Sequence, residues 1–148
     1  MRDAFARVLE EEMEQNERIV LITGDLGFGV LRQIHRRFPD RLIAVVDYNH
    51  MQSLATVDET LRLEPFEQKW KDFGWNAISV NGHDTDALLK AFDWAKENAG
   101  SRKPSVILAH TVKGKGISFM ENNILWHYRT PQGEEYEAAL KELEAGRP

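Results

Sequence analysis

Residues 76–110, NAISVNGHDTDALLKAFDWAKENAGSRKPSVILAH, decide the fold. Residues 77–80 are a short apolar run that predicts a strand. Asp84 stands where an N-cap belongs, ahead of a helix predicted from about 85 to 98 with Leu88, Leu89, Phe92 and Ala95 facing inward. Residues 106–109 are a second apolar run, continuous rather than alternating, as a strand covered on both faces requires. A strand, a helix and a strand in that order call for parallel pairing through a right-handed crossover.

The same alternation extends back to the N-terminus. Residues 2–15 carry Ala4, Phe5, Val8, Leu9 and Met13 at helical spacing. Residues 19–23 are a β-branched run that ends in Gly24-Asp25, a strand followed by a turn. Val30, Leu31, Ile34 and Phe38 predict a second helix, stopped by Pro39-Asp40, and residues 42–46 a further buried strand. Residues 52–64 read as polar loop. Pro65 opens a helix that carries Phe66, Trp70 and Phe73 and ends at Gly74. Beyond residue 110 a loop at 113–123 leads to a last helix near 134–144. The expectation is one doubly wound (Rossmann-like) α/β domain over residues 1–148, with about four parallel strands and helices on both faces.

Composition narrows the function classes. The 148 residues are 42% hydrophobic and 29% charged, the balance of a globular protein with a real core. No apolar run reaches membrane-spanning length, and residues 1–5 have no apolar signal core. There is no cysteine, so disulfide and thiol chemistry are excluded and a cytoplasmic location is expected. A net charge of −5 opposes bulk binding of nucleic acid. Phosphate, if held, is held locally by a metal, backbone amides or one basic loop.

Ligands of an open parallel sheet bind at the carboxyl ends of its strands. Three elements fall there: Gly24-Asp25, the 47–51 stretch DYNHM, and the 110–116 stretch HTVKGKG. Oxygen donors suit magnesium, and Asp25, the Asn49 amide and the Met51 carbonyl offer them. Lys113 and Gly114 open a loop that can cradle phosphate. Each feature also has a plain structural explanation. Asp25 alone is an N-cap, Asn49 a turn residue, and His83 in Asn81-Gly82-His83-Asp84 turn and cap chemistry. His110 alone is a core-edge histidine and Trp126-His127 a surface aromatic patch. A receiver-like or flavodoxin-like module with Asp25 as phosphoacceptor is a fold-level analogy supported by that one residue.

A family resemblance joins these pieces. The segments LIAVVDYNHMQSL, EPFEQKWKDFGWN, VNGHD, ILAHTVKGKGISFMENN and LWHYRTPQGEEYEAAL, spread over residues 42–143, resemble the later part of a transketolase diphosphate-binding domain. The likeness is greatest to the N-terminal subunit of split bacterial transketolases. Residues 1–41, MRDAFARVLEEEMEQNERIVLITGDLGFGVL…FPDR, resemble instead the start of the pyrimidine-binding domain, which opens the other subunit. A junction near residue 41 is therefore expected.

The resemblance implies thiamine diphosphate and Mg²⁺ as cofactors, with Asp25, Asn49 and the Met51 carbonyl on the metal. His50, His83, Lys113 and Gly114 stand near the cofactor, and His127 is the catalytic candidate, close to diphosphate and transferred substrate. The substrate class it implies is sugar phosphates, with transfer of a two-carbon ketol unit as the ancestral reaction. Two departures concern Asp25. It is followed by Leu26, where the family's motif has Gly and Glu, and it stands 24 positions before Asn49 (49 − 25), closer than in the family. The family's catalytic glutamate would follow the segment the chain leaves near Arg41, so catalysis by this chain alone is not expected. A complementary transketolase subunit or a homodimer is expected to complete the site, and Phe119, Met120, Ile124, Leu125 and Trp126 suit an interface. The competing expectation is a noncatalytic, truncated or recombined α/β domain that folds and dimerises only.

Overall fold

A computed structural model of the chain describes residues 2–23, 32–52 and 55–146. Its elements are α1 (Arg2–Gln15), β1 (Leu21–Thr23), α2 (Arg32–Arg37), β2 (Leu42–Tyr48), α3 (Val57–Thr60), α4 (Phe66–Asp72), β3 (Asn76–Asn81), α5 (Thr85–Glu97), β4 (Ser105–His110) and α6 (Glu134–Ala145). Two compact units divide them. Residues 1–47 and 64–110 form the first, and residues 48–63 and 111–148 the second.

The first unit is the sheet and its helices. The strand order is β1-β2-β4-β3. β1 runs parallel to β2 with Leu21 opposite Leu42, and β3 parallel to β4 with Asn76 opposite Ser105. Because side chains alternate along a strand, each strand feeds two cores. On one face Ile43, Ile78, Val80 and Ile107 pack with Ala91, Phe92 and Ala95 of α5. On the other, Ala44, Val46, Ala77, Val106 and Leu108 pack with Phe66 and Trp70 of α4 and with Trp75. This is the doubly wound arrangement, and it makes β4, buried from Ser105 to Ala109, the centre of the unit. Each fully covered aliphatic side chain there contributes about 1.5–3 kcal/mol.

Local chemistry sets the element ends. Asp84 Oδ1 accepts a hydrogen bond from the Ala87 amide at 3.0 Å and caps α5 as expected. Gly74 ends the α4 turn at φ +86°, where only glycine is at ease. Arg37 of α2 pairs with Glu10 and Glu14 of α1, and Arg41 donates to the Asn16 carbonyl at 3.2 Å. The Trp70 indole nitrogen is buried without a hydrogen-bond partner among the described residues, and its ring meets Trp75 edge-on at 4.9 Å.

Some sequence expectations shift. The first strand starts at Leu21, and the second runs two residues past Val46 to Tyr48. Phe5 and Val8 lie exposed on α1, while Ala6 and Met13 are buried. On α5 Leu89 is 58% exposed and Ala91 takes the inward place, because the close approach of helix to sheet favours the smaller side chain. The 52–64 stretch contains α3, a single helical turn started by a capping box. The Thr56 hydroxyl accepts from the Glu59 amide at 3.3 Å, and the Glu59 carboxylate accepts from the Thr56 amide at 3.1 Å. The expected strand end at Gly24-Asp25, with Val30 and Leu31, lies outside the described residues.

Candidate functional site

In the second unit the chain leaves β2 through a tight turn. Asn49 Oδ1 accepts from the Met51 amide at 3.0 Å, the two-residue closure that asparagine favours. His50 between them is left-handed at φ 58°, and its ring lies 4.2 Å from that of Tyr48. Met51 then bridges antiparallel to Thr56, flanked by Val57 N–H to His50 C=O at 2.9 Å and Gln52 N–H to Ala55 C=O at 2.8 Å. In such a bridge the paired residue's own N–H and C=O point away from its partner. The Met51 amide already reaches Asn49, so the Met51 carbonyl lies on that same edge. An amide oxygen has two lone pairs, and Asn49 spends one on Met51.

The exit of β4 is fastened beside this turn, since the Thr111 amide donates to the Tyr48 carbonyl at 3.3 Å. Lys113 and Gly114 follow. The loop doubles back on itself: the Asn122 amide donates to the Lys113 carbonyl at 3.0 Å. Gly114 sits at φ +73°, and a Cβ there would stand 2.5 Å from the Met120 carbonyl oxygen. Only glycine fits. The Thr111–Tyr48 bond thus joins the segment that leads into Asn49–Met51 to the one that leads into Lys113 and Gly114.

Past the loop, Asn123 caps a 3-10 turn, Ile124–His127, by accepting from the Leu125 amide at 3.1 Å. Trp126 donates its indole N–H to the Phe119 carbonyl at 3.0 Å and packs tilted against the Phe119 ring at 5.3 Å. This ties the turn to the 113–123 loop and leaves the His127 ring exposed, edge-on to Tyr128 at 4.5 Å. Arg129 lies over Trp126 at 4.9 Å and pairs with Glu135 at 2.5 Å. Tyr128, Arg129, Thr130, Gln132 and Glu135 line an open cleft of about 390 Å³. Of the five residues expected to suit an interface, Leu125 is exposed and the other four are half-buried.

His83 belongs to the first unit, at the exit of β3. Its amide donates to Asn81 Oδ1 at 3.0 Å, and the Gly82 amide donates to the His110 carbonyl at 2.8 Å. With Asp84 on the helix cap, 81–84 does the turn and cap work that its composition suggests. His110 is half-buried at the end of β4. Asp25 lies outside the described residues. Among the described residues no three His, Cys, Asp or Glu side chains converge as a metal cage.

Two elements of this region escaped the sequence reading. Ser118 donates its amide and its hydroxyl (2.7 Å for the latter) to the Glu142 carboxylate, holding α6 to the loop. These two bonds, the amide's first, pull the Glu142 carboxyl below the ordinary range. Glu121 accepts from the Gly116 amide at 3.1 Å and pairs with Lys115 at 3.4 Å. No local pattern announces either pair, whereas Thr56-x-x-Glu59 is a capping-box spacing visible in the sequence.

A helix-flanked parallel sheet whose strand exits carry an Asn turn and a Lys-Gly loop is the frame of an α/β ligand-binding domain. Residues 31–143 match the family described as transketolase, thiamine diphosphate binding domain, and the chain belongs to that family. The 6-deoxy-6-sulfo-D-fructose transketolase subunit SqwG of Clostridium sp. (strain MSTE9) is 46% identical over 105 residues, 71% of this chain and 38% of that protein. An apulose-4-phosphate transketolase subunit of Phocaeicola vulgatus is 35% identical over 104 residues, 70% of this chain and 36% of that protein. The chain therefore matches well under half the length of these relatives. Among solved structures, transketolase from Campylobacter jejuni shares the fold with a TM-score of 0.69 at 24% identity, over 97% of this chain and 24% of that one. The likeness at 42–143 thus extends to a thiamine diphosphate-binding domain of the transketolase family. No helix among the described residues is long and apolar enough to cross a membrane.

Proposed function

We propose that this chain forms the diphosphate side of a thiamine diphosphate site and works with a complementary transketolase subunit on sugar phosphates. The 49–51 turn carries the reading. The Asn49 amide oxygen and the Met51 carbonyl stand on one edge of a hydrogen-bonded turn. Magnesium takes one or two protein oxygens and completes its shell with phosphate oxygens and water, so this sparse, uncharged pair fits a metal shared with a diphosphate. Lys113 and Gly114, on the segment tied to Tyr48 through Thr111, offer positive charge and a backbone that can be approached closely. Asp25, as a third metal ligand, and His83, near the cofactor, keep the roles the resemblance implies. His50 shapes the turn by its left-handed backbone.

The cofactor, when bound, supplies carbanion stabilisation for transfer of a two-carbon ketol unit. His127 would exchange a proton or a hydrogen bond with a substrate hydroxyl, a role open to an exposed imidazole. Both relatives described above are named as transketolase subunits, which supports a complementary subunit here; that partner would bring the glutamate that activates the cofactor. The proposal places residues 1–148 in one transketolase-like domain, joined near residue 41, in the cytoplasm.

Calorimetric titration of thiamine diphosphate, with and without Mg²⁺, tests it. Micromolar, magnesium-dependent binding, about −8 kcal/mol, is the expected result. Asn49→Ala should abolish the magnesium dependence and leave folding nearly intact. Unchanged binding by that variant would refute the site. No binding by the wild-type chain at millimolar cofactor would favour a noncatalytic folding or dimerisation module.

A further inference from the structure

The 113–123 loop has two limbs in backbone contact, 113–116 going out and 120–123 returning. Asn122 N–H donates to the Lys113 carbonyl at 3.0 Å, and Gly114 lies flat against the Met120 carbonyl. One side chain spans them. Glu121 on the return limb accepts from the Gly116 amide at 3.1 Å and faces the Lys115 ammonium at 3.4 Å through the same oxygen. An amide and an ammonium converging on one oxygen are what a phosphate oxygen would meet in a Lys-Gly loop. Here an internal carboxylate already takes that place. Glu142, the next carboxylate in reach of Glu121, is engaged by Ser118.

The two lysines of the Lys-Gly-Lys-Gly run are therefore not equivalent. Lys115 is ion-paired to Glu121 within the loop. Lys113, half-buried at the exit of β4, makes no ion pair among the described residues. We propose that Glu121 is the positioning residue of this loop: it occupies Lys115 and the Gly116 amide, fixes the outgoing limb, and leaves Lys113 as the cation presented to a diphosphate. The assignment rests on the loop's part in the function proposed above and adds a division of labour within it.

Two measurements on the whole chain separate the assignment from that function. In the first, hydrogen exchange of the amides at 114–117 is compared in the wild type, Glu121→Ala, Glu121→Gln and Lys115→Met. Glu121→Ala should speed exchange at Gly116 about tenfold, the loss of one charge-assisted hydrogen bond. Glu121→Gln, which keeps an acceptor oxygen, should recover most of the protection, and the amides of α5 should not change. In the second, magnesium pyrophosphate is titrated. Lys113→Met should weaken it at least tenfold, and Lys115→Met less, with Glu121→Gln restoring what Glu121→Ala loses.

Unchanged exchange in Glu121→Ala would overturn the assignment whatever the titration gives. So would Lys115→Met weakening pyrophosphate more than Lys113→Met. Altered exchange with no pyrophosphate binding by the wild type would overturn it too. In that case the function proposed for the loop fails, and Glu121 is a structural clasp.

Discussion

Replacing Gly114 by alanine puts the loop geometry under direct test. At φ +73° an L side chain sits in the left-handed region, which costs roughly 1–2 kcal/mol. The new methyl would also stand 2.5 Å from the Met120 carbonyl oxygen. That carbonyl cannot swing aside freely, because it accepts from the Asn123 amide at 3.2 Å while Asn122 is held to Lys113. Overpacking against fixed atoms adds about 1–3 kcal/mol, for a total of about 2–5 kcal/mol. Gly116, at φ +95° in the same unit, is the control. A Cβ there meets only Leu143 at an ordinary 3.4 Å. Its alanine variant should show the backbone cost alone, about 1–2 kcal/mol. Trp126 is the one tryptophan of the second unit, so fluorotryptophan labelling and urea titration followed at its fluorine resonance report on this region separately. A Gly114→Ala loss within about 0.5 kcal/mol of Gly116→Ala would refute the close approach of the two limbs.

In the first unit, Ile107→Ala empties a fully buried site at the centre of the sheet and should cost about 2–5 kcal/mol in urea denaturation. Asp84→Ala removes the α5 cap, at about 1 kcal/mol, and should speed exchange of the Ala87 amide first. Acid should weaken two carboxylate attachments. Glu67 is held below the ordinary carboxyl range by Lys71 and then Ser79, and Glu142 by the Ser118 amide and then its hydroxyl. A lowered folded-state value means that the stability is present above the unfolded value near 4.5 and is lost as pH falls through the lower folded one. Ser118→Ala keeps the amide bond and removes only the hydroxyl's, so it should flatten part of the acid limb of α6 exchange, measured between about pH 6 and pH 3.

The alternation of apolar runs with helical spacing carried most of the architecture. Residues 77–80, 85–98 and 106–109 became β3, α5 and β4 with ends shifted by a residue or so, because burial on both faces leaves a continuous apolar signature. Helix faces were less legible. Leu89 reads as core by size and spacing, yet the helix presents Ala91 and Ala95 to the sheet. Hydrophobicity ranks side chains without knowing how near two elements approach. The site was legible where its chemistry is local: Asn49 closes a turn over two residues, and Asp84 caps over three. It was not legible where partners are far apart in sequence, as with Ser118 and Glu142, 24 positions apart. Glu121 is a nearer case, but its bond depends on the loop doubling back, which no periodicity records.

Among the described residues, the non-glycine residues with positive φ are His50, Arg102 and Asn122, two of them on the segments that follow β2 and β4. Gly114 and Gly116 add two more left-handed positions to the second exit. Such conformations cost free energy and persist where surrounding bonds over-determine them, as the Thr56–Met51 bridge does for His50 and the bond to Lys113 does for Asn122. Arg102, in the turn before β4, lies at the opposite end of that strand and has no candidate residue near it in sequence. Segments held by their own hydrogen bonds lose little conformational entropy on binding, so under the function proposed above more of the interaction energy with a diphosphate would be kept as affinity.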